Sequence, residues 1–445
     1  MKKTFNIGGV HPKDNKITAD AEIEVFPILD TAYISMAQHL GAPAEPLVQK
    51  GDKVKVGQVI GKPVGFISGF VHSSVSGTVT AVEPMPDLAG IMVMHVVIAV
   101  EGDEWEEEID RTSDIKREIN YTSEEIIEKI KNAGIVGLGG AAFPTHVKLN
   151  PPKDKKAEYL ILNGSECEPY VTADDRIMRE QPEQIFIGAA IMMKALNVTK
   201  AFIGIEENKP QSIAIMEKVG ETYPQINVVI LKKKYPQGGE KQLIDAITGR
   251  KVPSLGLPID VGVVVQNVGT SLAVYEAVQK NKPLIDSVVT VTGYCFSQQR
   301  NFLLRVGTPF SKIIDAIGGL PKDVAKFISG GPMMGKAVSN IDASTLKGTS
   351  AFLLLTEEET KRAEEGNCIR CGKCIDVCPM GLEPYLLNKL ARQGGNYDEL
   401  ENEKIYDCIE CGCCLYSCPA QIPLLDVIRI SKAEVIKIMR NRSKK

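Results

Sequence analysis

Tyr159-Leu160-Ile161-Leu162-Asn163-Gly164-Ser165-Glu166-Cys167-Glu168-Pro169 runs from a short apolar strand into a polar, acid-rich turn, and its reading decides the architecture around it. Further apolar runs recur at 201–205, 227–231 and 262–266, with helical patterns between and after them near 183–196, 210–220, 240–248 and 270–280. Short apolar strands alternating with helices predict a parallel sheet covered by helices, an α/β core. Ligands of such sheets bind beyond the carboxyl ends of the strands. Asn163, Glu166 and Glu168 are therefore candidates to meet ribose hydroxyls or the polar edge of a flavin, with a solvated loop as the plain alternative.

Upstream, Thr122-Ser123-Glu124-Glu125 reads as a helix start with an acid three residues after the cap. Ile126, Ile127 and Ile130 give that helix an apolar face, and Gly134 ends it. The loop Gly134-Ile-Val-Gly137-Leu-Gly139-Gly140-Ala-Ala-Phe143-Pro-Thr145 follows. Its Gly137-x-Gly139-x-x-Ala142 fits a dinucleotide fingerprint in form, but it follows a helix and not a strand. Glycines here let backbone amides approach a phosphate. A simple glycine-rich turn fits the spacing equally.

Residues 1 to about 105 alternate short apolar runs with turns. Val48 to Ile60, with a Gly51-Asp52 turn, is answered by Val71 to Val82, as paired strands are. The pair resembles the barrel-sandwich hybrid of biotinyl and lipoyl carriers. The intervening Pro63–Phe70 holds no lysine, so a structural module is expected, with Lys62 the nearest candidate for modification. An acidic linker spans Glu101 to Lys116, with the sole tryptophan, Trp105, as a packing anchor. Past 285, strand-like runs and the turns Gly318-Gly319 and Gly330-Gly331 predict a small β-grasp-like unit.

Eight of the eleven cysteines form two copies of one pattern: Cys368-x-x-Cys371-x-x-Cys374-x-x-x-Cys378-Pro379 and Cys408-x-x-Cys411-x-x-Cys414-x-x-x-Cys418-Pro419. This spacing holds [4Fe–4S] clusters through thiolates, the fourth cysteine of each run serving the other cluster. Two clusters are expected, one on Cys368, Cys371, Cys374 and Cys418, the second on Cys408, Cys411, Cys414 and Cys378. Zinc pairs are usually set further apart. A disulfide framework does not suit a chain of this length with clustered cysteines and no apolar leader segment. Cys167 and Cys295 read as buried free thiols, and a reducing, cytoplasmic setting follows. Of 445 residues, 44% are hydrophobic and 24% charged, and the net charge of −4 gives no general attraction for nucleic acid. The longest apolar stretch, Ile185–Leu196, is interrupted by Lys194 and too short to span a bilayer.

Residues 134 to 340 resemble the flavin-bearing, NADH-oxidising subunit of respiratory complex I. The likeness rests on Gly-Gly-x-x-Phe-Pro-Thr with Lys148 beyond it, on Asn-x-x-Glu-x-Glu-Pro at 163–169, on Gly238-Gly239-Glu240, and on Gln266-Asn267-Val268-Gly269-Thr270. It implies FMN against Gly137, Gly139, Gly140, Lys148, Asn163, Asn267 and Thr270. It also implies NAD(H) against Phe143, Glu166, Glu168 and Glu240. Leu138 stands where that family has arginine, and Ser165 where it has an acid. The chain to about 435 is similar to the C subunit of Rnf complexes, membrane assemblies coupling electron flow between ferredoxin and NAD to ion pumping. Gly8-Gly9-Val10-His11-Pro12, Gln38 to Pro43, and Gly330-Gly331-Pro332-Met333-Met334-Gly335 carry that likeness, together with the two cysteine runs.

The resemblance implies a barrel-sandwich domain over 1–112, an FMN/NADH-binding α/β domain over 113–284, an SLBB-like β-grasp domain over 285–350 and a two-cluster ferredoxin domain over 351–445. It also implies electron exchange among NAD(H), FMN and the clusters, peripheral docking on the cytoplasmic face of the membrane, and the other membrane and iron–sulfur subunits as partners, with ferredoxin reached indirectly. Two rival readings are an iron–sulfur relay without NADH chemistry and a cobalamin reductase, whose barrel-sandwich piece follows the clusters and does not lead. His11, His39, His72, His95 and His146 share no metal-ligand spacing and read as structural. The C-terminal helix, 424–439, with the basic tail Arg442-Ser-Lys-Lys, reads as packing on the cluster domain, or as docking on a membrane partner or anionic lipid.

Overall fold

The computed structural model describes residues 2–296 and 298–442; Ser443, Lys444 and Lys445 of the basic tail lie outside the described residues. At its centre are four parallel strands in the order Ile226–Leu231, Ala201–Glu206, Tyr159–Gly164, Val263–Asn267. The chain steps outward across three strands and then returns to the other side of the first. That reversal leaves a crevice at the carboxyl ends of Tyr159–Gly164 and Val263–Asn267, where Asn163 and Asn267 lie opposite each other in register.

Alternation along the strands sorts the two faces. Leu160, Leu162, Ile203 and Val264 pack under Pro182–Leu196 and Val268–Lys280, while Ile161, Val263 and Val265 meet Leu243 and Ile247 of the helix Glu240–Thr248. The helix Ser123–Asn132 closes the first face and carries the capping box expected at Thr122 and Glu125. The helix Ala173–Glu180 was not anticipated; Ile177 and Met178 are its only large apolar residues.

Two small sheets build the barrel-sandwich around Ile34, Val54, Ile60, Val79, Val96 and Ile98. Lys62 is ion-paired to Glu45 on its surface. The guanidinium groups of Arg111 and Arg305 both lie over the linker's Trp105 ring, 4.6 and 4.7 Å from its centroid, and the Arg305 contact ties the linker to the β-grasp sheet.

That sheet has six strands, and two lie outside the span 285–350. Ala351–Thr356 pairs with Asp286–Thr292 and with Val324–Ser329, and Ile23–Val25 adds to the edge strand Arg300–Arg305. The expected boundary at 350 therefore moves past Thr356, because Ala351–Leu355 is a buried central strand of this sheet. The first residues of the chain likewise lie outside the barrel-sandwich: Lys3 bridges to Leu231 and Val10 to Tyr235 of the α/β domain, before Ile23–Val25 joins the β-grasp sheet.

The cysteine-rich unit is made of short helices gathered on Leu387, Leu400, Ile405, Ile428 and Val435. Its last helix, Leu424–Arg442, packs there through Ile428 and Val435, and Arg442 is ion-paired to Asp398 and Glu401. No described helix is long and apolar enough to cross a membrane.

Candidate functional site

The glycine loop rises beside the crevice. It is closed at its base by Gly137 N–H to Phe143 O (2.8 Å) and pinned by Leu138 N–H to Thr270 Oγ1 (2.8 Å). Thr270 thus serves the site by holding the loop onto the start of Val268–Lys280. The Leu138 side chain lies beside Gly269, its Cδ1 3.5 Å from where a Cβ there would sit. Gly139 has φ +74°, and a Cβ there would sit 2.9 Å from Asn267 Nδ2; only glycine allows that approach. Gly139 and Gly140 are exposed, and among the described residues nothing accepts their amide hydrogens. Exposed, uncommitted amides next to a helix N-terminus make an anion cradle.

Opposite the loop, Asn163 Nδ2 donates to Gly238 O (2.9 Å), and its Oδ1 accepts from Ser165 N–H. Asn267 caps Val268–Lys280 through Gly269 N–H to Oδ1 (2.7 Å), while its Nδ2 donates to Asp174 Oδ2 (2.7 Å). Burial pushes the Asp174 carboxyl up to about 6, against the pull of that Asn267 bond. Lys148 reaches across to Glu240 Oε1 (2.8 Å) and Val265 O (3.2 Å), with the Lys148–Glu240 pair partly solvated. Phe143 is half-buried at the loop's descending arm. Thr145 Oγ1, Ser165 Oγ and Gln266 Nε2 are buried around these elements with no partner among the described residues. A cradle of free amides and three orphaned polar atoms fit a phosphate-bearing, polar-edged group such as FMN.

Two expected nucleotide contacts are committed elsewhere. Glu166 accepts from the amides of Asp174 (2.7 Å) and Asp175 (3.3 Å), capping Ala173–Glu180, with Lys16 Nζ on its carbonyl. Glu168 accepts from the amides of Met333 (3.0 Å) and Met334 (2.8 Å), tying the sheet to the Gly330–Gly335 turn. Burial raises its carboxyl, and the two amides oppose that shift. Both acids therefore build the floor of the site through backbone contacts.

Sequence reading missed Tyr235. Its buried hydroxyl donates to Cys411 O (2.9 Å) and lies 3.4 Å from Glu168 Oε1. Gly8 packs on Cys378: a Cβ would fall 2.5 Å from that residue's carbonyl carbon and oxygen. Gln242 Nε2 donates to Pro379 O (3.3 Å). These contacts seat one side of the cysteine unit on the α/β domain.

The thiols fall into two groups. Cys408, Cys411 and Cys378 lie near enough to Cys414 to hold its thiol up beside the effect of burial, and Cys418 and Cys368 act in the same way on Cys374. Among the described residues no three His, Cys, Asp or Glu side chains converge as on a single ion; the four corners of a cubane call for a wider set. The first group adjoins the α/β domain, whereas Cys368 and Cys371 of the second are exposed. The histidines gather nowhere. His72 is buried and held far down, at about 3, by desolvation and then by the Lys347 ammonium.

Comparison with known proteins gives the same order of parts. The RnfC barrel sandwich hybrid domain matches residues 3–103, the Nuo51 FMN-binding domain 130–276, the SLBB domain 288–337 and the 4Fe-4S dicluster domain 360–419. The chain is 48% identical to the C subunit of the proton-translocating ferredoxin:NAD(+) oxidoreductase complex of Clostridium ljungdahlii, over 98% of this chain and 94% of that protein. It is 45% identical to the C subunit of the Na(+)-translocating complex of Acetobacterium woodii, over 96% of each. It is 41% identical to the C subunit of the ion-translocating oxidoreductase complex of Rhodobacter capsulatus, over 88% of this chain and 76% of that one.

Proposed function

Since the chain belongs to the family of C subunits of ion-translocating ferredoxin:NAD(+) oxidoreductase complexes, we propose that it is the NAD(H)-facing electron gate of such a complex. It is a peripheral subunit, bearing an FMN-binding domain and a 4Fe-4S dicluster domain, set on the cytoplasmic face of the membrane and docked on the other subunits. When bound, FMN exchanges the two electrons of a hydride at once and releases them singly, and each cluster carries one.

The residues divide the work. The amides of Gly139 and Gly140 receive the flavin phosphate beside the N-terminus of Val268–Lys280, with Gly137 and Thr270 holding the loop in place. Asn163 and Asn267 line the crevice with amide groups, and Lys148 sets a positive charge beside them. Phe143 and Glu240 border the opening to the nicotinamide nucleotide. Cys378, Cys408, Cys411 and Cys414 hold the inner cluster, and Cys368, Cys371, Cys374 and Cys418 the outer one.

The observation that carries this reading is the Tyr235 hydroxyl. It lies between Glu168, just past the strand that forms the crevice, and the carbonyl of Cys411, a ligand of the inner cluster. The nucleotide end and the cluster end are thereby joined by one buried side chain. The deciding test is an anaerobic visible spectrum of iron-loaded protein with FMN, before and after NADH. Bleaching of both flavin and iron–sulfur absorbance is expected. Clusters that dithionite reduces but NADH leaves oxidised would make the chain a relay alone.

A further inference from the structure

The cysteine unit presents the same loop twice, Cys368-Ile369-Arg370-Cys371-Gly372-Lys373 and Cys408-Ile409-Glu410-Cys411-Gly412-Cys413. The backbones correspond: φ is +55° at Arg370 and +57° at Glu410, and +78° at both Gly372 and Gly412. A short helix follows each, Lys373–Asp376 and Cys413–Tyr416.

Their surroundings do not correspond. Ile409 packs with Val10, Tyr235 and Met333, and a Cβ on Gly412 would lie 3.2 Å from Met333 O. Ile369 is 69% exposed, and a Cβ on Gly372 would meet nothing within 4 Å. Glu410 is neutralised by Arg429 and Lys432. Arg370 and Lys373 are exposed and form no ion pair among the described residues. One of two equivalent faces is thus covered by the N-terminal segment, the flavin domain and the β-grasp turn. The other is bare, with an isoleucine at its centre, two cations at its rim and two exposed cysteines of the outer group.

We propose that the Ile369 face is the docking surface for an acidic electron-carrier protein, seated over the outer cluster as the flavin domain is seated over the inner one. The inference rests on the assignment of the cysteines to clusters made above. Apolar contact at Ile369 excludes water over the cluster loop. Arg370 and Lys373 steer a negatively charged surface onto it, an attraction that salt screens. The inner face has no use for such cations, and there the matching positions are Glu410 and Cys413.

The test uses membranes stripped of this protein and rebuilt with purified, cluster-loaded full chain. Ile369→Glu, and separately Arg370→Glu with Lys373→Glu, should slow NADH-driven electron transfer into the complex at least tenfold. NADH oxidation with ferricyanide and the iron and sulfide content should stay unchanged. Raising ionic strength should slow the parent protein and speed the charge-reversed double variant, because salt screens attraction in the one and repulsion in the other. Wild-type transfer rates in both variants would overturn the proposal. Carbodiimide cross-linking of the unmodified complex gives a reading that needs neither variant nor NADH activity. A bond from Lys373 to an acidic residue of another protein of the complex supports the docking surface even if NADH fails to reduce the clusters. A Lys373 left free, or joined to a second copy of this chain, refutes it.

Discussion

Gly188 offers the sharpest probe of how the fold holds the flavin crevice. It sits on Pro182–Leu196 where that helix crosses Val268–Lys280, and a Cβ there would fall 1.9 Å from Ser271 O and 2.8 Å from Ser271 Oγ. Ordinary contact begins near 3.4 Å, so Gly188→Ala must separate the helices locally by up to 1.5 Å. The obstructing atom is backbone in a helix and cannot swing aside. Overpacking of this kind costs about 1–3 kcal/mol, part of it from the strained Ser271 Oγ–H to Ile185 O bond (2.8 Å). Ser271 follows Thr270, which pins Leu138, and Asn267 caps the same helix. A shift at the start of Val268–Lys280 carries the pinned Gly137–Gly140 loop, and the amides of its cradle, with it. The variant should therefore stay folded by far-ultraviolet circular dichroism yet bind FMN at least tenfold more weakly by fluorescence quenching. Unchanged FMN affinity in folded Gly188→Ala would show that the crevice does not depend on this helix pair.

Tyr235→Phe leaves the Cys411 carbonyl without its donor, at about 1–3 kcal/mol for a buried unsatisfied group; stopped-flow traces should show normal flavin reduction by NADH with slowed cluster bleaching. Lys148→Met with Glu240→Gln should change stability by less than about 1 kcal/mol, because that pair is partly exposed. The same double variant should weaken FMN binding severalfold, read by equilibrium dialysis. His72 stays neutral in the fold down to about 3 against an ordinary 6.5. The unfolded chain therefore binds the extra proton first, and stability present above 6.5 is lost as pH falls toward 3, by at most about 1.4 kcal/mol per pH unit. The protection factors of the Val71 and His72 amides, corrected for intrinsic exchange at each pH, should fall over that window, and His72→Asn should flatten the slope.

The sequence made some features plain and hid others for identifiable reasons. Strands such as Tyr159–Gly164 and helices such as Glu240–Thr248 announce themselves because each buries a continuous face with its own period. The cysteine runs are legible because cluster chemistry fixes their spacing. Ala173–Glu180 is not legible: it is a helix held by the Glu166 carboxylate at its start, and no apolar repeat marks it. Glu166 and Glu168 look like ligand-facing acids from their place after a strand. Their direction is decided by amides 8 and 165 residues away, which no local pattern encodes. Ala351–Thr356 borders the cluster domain in sequence, yet a partner more than 50 residues back claims it for the β-grasp sheet.

The same long-range logic accounts for the first residues of the chain. Electron transfer between a flavin and a cluster weakens steeply with distance, so anything separating the α/β domain from Cys378 and Cys411 carries a kinetic penalty. The N-terminal segment lies in that seam, and it is thin there. Gly8, at φ +68°, leaves no room for a side chain against Cys378, and Gly9 N–H donates to Val377 O at 2.9 Å. Val10 then bridges to Tyr235, the residue that reaches Cys411. A strap of two glycines brings the cysteine unit close while adding hydrogen bonds across the seam. A side chain at position 8 would push the inner cluster away from the crevice and leave the flavin site itself intact. Gly8→Ala and Gly188→Ala should thus fail in opposite halves of the reaction, the first with a flavin that NADH reduces and clusters that fill slowly, the second with clusters intact and a flavin poorly held.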